Sequence, residues 1–148
     1  MPATEHPTRN PSAAQLSPAL FSFRPLVRAI ACTIVPEAAA LDEKAWANFE
    51  TLIDAALGDR PPALQRRLQL FLRAIDWLPV VRFGHRFASL QPAQRARFLA
   101  GLENHTVQLI RSGFWGLRTL VLLGFYGRPE AAAAIGYKAD PRGWEAFR

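Results

Sequence analysis

The part of the chain that most constrains its fold is a nearly continuous apolar stretch from residue 111 to residue 127. It reads Arg-Ser-Gly-Phe-Trp-Gly-Leu-Arg-Thr-Leu-Val-Leu-Leu-Gly-Phe-Tyr-Gly, so its only charged residues are two arginines. Because exposing so much apolar surface to water is unfavourable, the stretch must be buried in the protein's own core or against another molecule. Which kind of burial applies largely decides what the protein does.

The same stretch is too short and too charged to cross a membrane. Only 15 residues run from Gly113 to Gly127, and Arg118 lies among them, whereas a spanning helix needs about 20 apolar residues. A charged side chain at that depth in a bilayer is also costly. We therefore expect no transmembrane segment.

Helical spacing of apolar residues runs through most of the 148-residue chain, and no stretch alternates with the period of two that is typical of strands. Prolines, glycines and one acidic N-cap mark the ends of the predicted helices. These helices run from Pro25 to Pro36, from Asp42 to Gly58, from Pro61 through Ile75, from Pro92 to Leu102, from Thr106 to Tyr126, and from Pro129 to near Gly136. Residues 77–87 are predicted to form a short helix or an irregular link.

The predicted fold is all-α, a compact bundle of about five to seven helices in a single domain over residues 21–148. Residues 1–20 are predicted to be a flexible, disordered tail, because residues 1–17 are rich in Pro, Ser, Thr and Ala. This tail has neither the apolar run of a secretory signal nor the paired arginines of a twin-arginine signal. The expected location is cytoplasmic, or periplasmic or membrane-associated when a partner carries the chain there.

Charge is distributed unevenly along the sequence, although the net charge is +6. Residues 1–59 carry −3, whereas residues 60–128 hold eleven arginines and two acids, which gives +9. Such a basic block with interleaved aromatic residues is compatible with nucleic-acid binding. The aromatic residues lie at core spacings, however, and no recognition motif is visible, so we expect no nucleic-acid partner.

No set of residues in the sequence has the composition and spacing of a catalytic or metal site. His85 lacks a ligand or acid at a suitable spacing, and no phosphate-binding glycine loop is present. Asp76 lies among arginines and is explained by an ion pair, with Arg73 as the nearest candidate. Cys32 has apolar neighbours, which favours an inert core thiol. The chain is therefore predicted to be no enzyme and to hold no cofactor or metal of its own.

The glycines of the long apolar helix fall close to one side of it, where small residues let a second helix approach closely. The alternative is that Gly127 is only a C-cap and Gly124 a point of local fraying. We also consider this helix the best candidate for a partner interface, in which Arg111 and Arg118 pair with acidic residues of the partner. The candidate interface residues are Arg111, Gly113, Trp115, Gly116, Arg118, Phe125 and Tyr126.

Three segments resemble the gluconate 2-dehydrogenase subunit 3 family. Residues 83–99 contain a Gly-x-x-Phe, then a leucine and a proline-started helix that ends in an apolar pair. Residues 117–127, followed by Ala-Ile-Gly-Tyr at 134–137, are similar to the same family and to the N-terminal helical region of long-chain alcohol oxidases. Residues 29–36 look like the family's opening helix, which closes on a short Ile-Val-Pro turn. The resemblance covers roughly residues 22–140.

This resemblance implies a small helical subunit without its own cofactor. Such subunits accompany a large flavoprotein of the glucose-methanol-choline (GMC) oxidoreductase type, which holds FAD and passes electrons to a cytochrome c subunit. The leading hypothesis is therefore a non-catalytic accessory subunit that binds and stabilises an FAD-dependent dehydrogenase or alcohol oxidase. The alternative hypothesis is a stand-alone helical protein that binds an apolar ligand such as a lipid or fatty alcohol.

Overall fold

The computed structural model describes residues 18–134 and Gly136, and this part of the chain is entirely helical apart from turns and links. It contains five long helices, two short ones and two 3-10 helices, at Pro36–Ala40 and Phe87–Ser89. The α-helices are α1 (Pro18–Phe21), α2 (Arg24–Ile34), α3 (Glu43–Gly58), α4 (Pro62–Phe83), α5 (Pro92–Glu103), α6 (Gln108–Tyr126) and α7 (Pro129–Ala134). The predicted all-α bundle is confirmed.

The predicted tail and the predicted end of the domain are only partly described. Residues 1–17 and 137–148 lie outside the described residues, and most of the predicted tail and the end of the predicted domain fall there. Helix α1 begins at Pro18, so ordered helix starts within the predicted tail. Leu20, the third residue of this helix, is buried in the core.

Local sequence signals explain where the long helices begin. Proline occupies one of the first two positions of α2, α4 and α5, where its missing N–H has no intrahelical partner to lose. The side chain of Asp42 accepts a hydrogen bond from the backbone N–H of Ala45 at 2.8 Å, which confirms the predicted N-cap. Gly84 ends α4 at a φ of +74°, a left-handed conformation that favours glycine.

Helix α4 is longer than predicted, because it continues without interruption through the segment expected to be a separate helix or link. Pro79 lies inside it and is fully buried, so packing of the ring into the core offsets the backbone hydrogen bond that proline cannot donate. Leu72 and Ile75 point into the core. Leu64 shares their helical pattern in the sequence, but it is 44 % exposed in the first turn of the helix, ahead of the part that packs.

Helix α6 is the centre of the bundle, since it contacts α2, α3, α4, α5 and α7. Its buried residues belong to one core cluster with residues from all the other long helices. Complete burial of several large side chains indicates a close-packed interior. The largest of these are Phe49, Phe87, Ile30, Leu72, Ile75, Val121 and Pro79.

The glycines of α6 pack closely against aromatic side chains of this core. A Cβ atom at Gly124 would lie 2.7 Å from the ring of Phe49 on α3, and one at Gly113 would lie 3.2 Å from the ring of Phe71 on α4. The predicted close-packing role is thus confirmed at these two positions. At Gly116 a Cβ atom would meet nothing within 4 Å, so this glycine has no packing partner among the described residues.

A cluster of charged residues joins α2 to α3. Glu50 is almost fully buried and accepts hydrogen bonds from the Nε atoms of Arg24 at 2.7 Å and Arg28 at 3.1 Å. Arg28 also donates two hydrogen bonds to Glu43 and lies 4.9 Å from the ring centre of Trp46. Because a buried carboxylate is costly unless it is paired, this cluster fixes the position of α2 over α3.

Cys32 is partly buried on α2. Burial raises the pKa of its thiol, which disfavours the reactive thiolate. This environment agrees with the predicted inert thiol.

Two glycine-to-alanine variants test the role of close packing in α6. Gly124→Ala should lower the free energy of unfolding by about 1–3 kcal/mol, because the added methyl group overlaps the ring of Phe49. Gly116→Ala should instead raise it by up to about 1 kcal/mol, because alanine favours the helix and the site is open. Urea unfolding followed by circular dichroism measures both, and equal effects would contradict the packing at Gly124.

The charged cluster is tested by Glu50→Gln. This change should lower the free energy of unfolding by about 1–3 kcal/mol at neutral pH, because both arginines lose a charge-assisted hydrogen bond. Glu37→Gln, at an exposed acid of the first 3-10 helix, is the matched control and should change it by less than about 0.5 kcal/mol. If the two variants unfold at the same urea concentration, the cluster does not stabilise the fold.

Candidate partner interface

Helix α6 presents two sides of different character. One side carries Phe114, Leu117, Val121 and Gly124, all buried in the core. The opposite side is exposed along its whole length, with side chains that recur every three, four or seven residues. We call this side the outer α6 face, and it consists of Leu109, Ser112, Trp115, Gly116, Thr119, Leu123 and Tyr126.

The outer α6 face carries no charged residue, although the exposed side of a helix is ordinarily rich in charge. Leu109 is 78 % exposed, and Trp115, Leu123 and Tyr126 are each nearly half exposed. The hydroxyl of Thr119 donates to the carbonyl of Trp115 at 2.8 Å, so this polar group is satisfied within the helix. From Leu109 to Tyr126 the face extends for about 25 Å. An exposed surface of this length that is largely apolar and carries no charge is typical of a binding site.

Three small residues lie next to one another on this face. Ser112, Gly116 and Thr119 are placed between Leu109 and the pair of Leu123 and Tyr126, with Trp115 beside them. Among the described residues, a Cβ atom at Gly116 would meet nothing within 4 Å. Because small side chains let two helix backbones come close together, this part of the face suits contact with a helix of another molecule.

Three of the seven residues predicted for the interface lie on the outer α6 face: Trp115, Gly116 and Tyr126. Gly113 instead packs against Phe71. Phe125 packs against the core, and its ring meets that of Tyr126 edge-on at 5.0 Å.

The two arginines of α6 make hydrogen bonds within the chain. Arg118 donates to Glu103 of α5 at 2.8 Å, and its guanidinium lies 5.1 Å from the ring centre of Trp115. Arg111 donates to the backbone carbonyl of His105 at 2.9 Å. The first bond joins the middle of α6 to the end of α5, and the second joins the first turn of α6 to the link that precedes it. The pairing of both arginines with acids of a partner stays a prediction.

Leu109 and Leu123 belong to the face but were absent from the predicted set. Leucines are the commonest core residues, so the sequence alone does not separate an exposed leucine from a buried one. A signal was nevertheless present, since residues 109, 116 and 123 are spaced by seven and lie opposite the buried stripe. This spacing distinguishes the exposed side of α6 from its buried side and so identifies Leu109 and Leu123.

The described part of the chain offers no metal site, since it contains no group of three or more His, Cys, Asp or Glu residues that could hold an ion. Asp76 forms its ion pair with Arg86 at 3.6 Å, and not with Arg73 as suggested by helical spacing. The reason is that the chain turns back after α4 and brings Arg86 beside the helix. His85 is exposed.

Cavities within the described residues are small. One of about 60 Å³ lies between α3 and α4 beside Leu57 and Leu68, and one of about 20 Å³ lies beside Val27 and Ile53. Pockets for small molecules usually measure about 300–1,000 Å³, so neither cavity accommodates a lipid or fatty alcohol. The alternative hypothesis of an enclosed apolar ligand gains no support from them. Among the described helices, none combines the length and apolarity required to span a bilayer.

Comparisons with known proteins bear on the chain's family. A search of curated proteins and a search of solved structures found no significant match. The model of the family described as gluconate 2-dehydrogenase subunit 3 matches residues 24–145, a range that includes α2 to α7. The chain therefore belongs to the gluconate 2-dehydrogenase subunit 3 family.

Proposed function

We propose that this protein is a non-catalytic accessory subunit that binds and stabilises the large subunit of an FAD-dependent GMC-type dehydrogenase or alcohol oxidase. In this proposal the partner holds FAD, and a cytochrome c is a further subunit of the complex. The observation that carries the proposal is the outer α6 face, an exposed helix surface without charge on a chain of a dehydrogenase-subunit family. The location of the chain then follows that of its partner.

The physical basis of the interaction is burial of apolar surface. Removing an exposed leucine or aromatic side chain from water contributes about 1.5–3 kcal/mol, and Leu109, Trp115, Leu123 and Tyr126 all offer such surface. Because their burial needs no compensating charge, the partner's matching surface should be apolar as well. Covering this face also explains how the subunit stabilises its partner, since each subunit then hides apolar surface of the other.

A matched pair of glycine variants tests the proposal. Gly116 on α6 and Gly101 on α5 are both exposed helix residues at which an added Cβ meets nothing within 4 Å. Gly116→Arg should reduce co-purification with a co-expressed large subunit by at least about tenfold, because it places a long charged side chain among the small, uncharged residues of the outer α6 face. Gly101→Arg should leave co-purification unchanged.

Both variants should fold, since each replaces a helix glycine with a better helix former. Circular dichroism and thermal unfolding of the isolated chains check this point. The amount of soluble, FAD-loaded large subunit, measured with and without the small chain, then tests stabilisation directly. The proposal is wrong if the large subunit is equally soluble alone and never co-purifies with the wild-type chain.

A further inference from the structure

A second exposed apolar surface lies on α4, on the side opposite the buried Leu72 and Ile75. Its side chains share one side of the helix, and we call them the α4 ridge: Leu70, Trp77, Leu78 and Val81. They are between 52 % and 90 % exposed, and Val81 is the most exposed of them. Side chains that project this far form a convex ridge and not a groove.

Arginines flank the α4 ridge on both sides. Four of them lie on the helix and are exposed: Arg66, Arg67, Arg73 and Arg82. Within the described part of the chain none of the four forms an ion pair. The one acid of α4 is Asp76, whose side chain is only 19 % exposed and is already paired with Arg86. The exposed charged side chains of α4 that border the ridge are therefore all positive.

The charge pattern distinguishes between possible occupants. A second copy of the chain docked through the same surface would place arginines against arginines, which is repulsive. A protein partner would need a groove that fits the ridge and an acidic residue opposite each flanking arginine. A bilayer of anionic phospholipids presents negative charge across its whole plane. A convex apolar ridge between cations can therefore bind it without aligning each arginine with one particular acidic group.

We propose that the α4 ridge binds the surface of an anionic phospholipid bilayer. Trp77, Leu78 and Val81 enter the boundary between headgroups and acyl chains, with α4 lying in the plane of the membrane over about 30 Å. The flanking arginines bind lipid phosphates, which match the fork of a guanidinium group. The Arg86 guanidinium lies 4.2 Å from the ring centre of Trp77, so a cation is already held beside the inserting ring.

Vesicle flotation of the full chain tests this proposal. One set of vesicles contains phosphatidylcholine alone, and the other contains about one-third phosphatidylglycerol. Binding should require the anionic lipid and weaken as salt is raised. Replacing Arg66 and Arg67 by Gln should weaken binding about fivefold for each arginine. Val81→Asp should weaken it about tenfold or more, because an apolar contact is replaced by a repelled charge.

Leu109→Asp is the matched control, because Leu109 is also highly exposed but lies on the outer α6 face. It should leave vesicle binding unchanged. Equal loss in the two aspartate variants, or equal binding to both kinds of vesicle, would overturn the proposal, as would the absence of binding to anionic vesicles.

The two surfaces are tested independently of each other. Gly116→Arg should reduce co-purification with the large subunit and retain vesicle binding, whereas Val81→Asp should retain co-purification and weaken vesicle binding. If Val81→Asp instead prevents co-purification and the wild-type chain does not float with anionic vesicles, the ridge is a protein contact. Failure of the accessory-subunit proposal would leave the vesicle result unaffected.

Discussion

Phe49 on α3 packs directly against the backbone of α6 at Gly124. No side chain larger than hydrogen fits there without displacing the ring, so this contact sets the distance between the two helices. Phe49 is itself fully buried and meets Trp46 edge-on. The other long helices are then arranged around this pair, because α6 contacts each of them.

This arrangement leaves the two longest helices, α4 and α6, with one side each in the core and one side in solvent. The two exposed sides differ in charge. The outer α6 face carries no charge, whereas the α4 ridge is bordered by arginines that form no ion pair within the described part of the chain. A protein partner and an anionic surface are recognised by different physical means, and in this small bundle the two corresponding surfaces lie on separate helices.

Much of the fold follows from local signals in the sequence. Prolines at helix starts, the Asp42 N-cap and the spacing of apolar residues predict the helices, and glycines in an apolar helix predict the close approach at Gly124. Tertiary effects account for the differences. Because Pro79 is buried in the core, α4 continues past it, and the turn after α4 places Arg86 beside Asp76. Which leucines of α6 face water depends on where the other helices lie, so Leu109 and Leu123 were not predicted.

The stacking of Arg118 on Trp115 affects how much conformational freedom the Trp115 side chain loses when another molecule covers it. The guanidinium is held by Glu103, so the indole ring rests against a group that is itself restrained. Ordering a free side chain at an interface costs about 0.5–1.5 kcal/mol, and a ring restrained beforehand loses less freedom when it is covered. The hydrogen bond between Arg118 on α6 and Glu103 on α5 thus restrains the Trp115 ring in the absence of a partner.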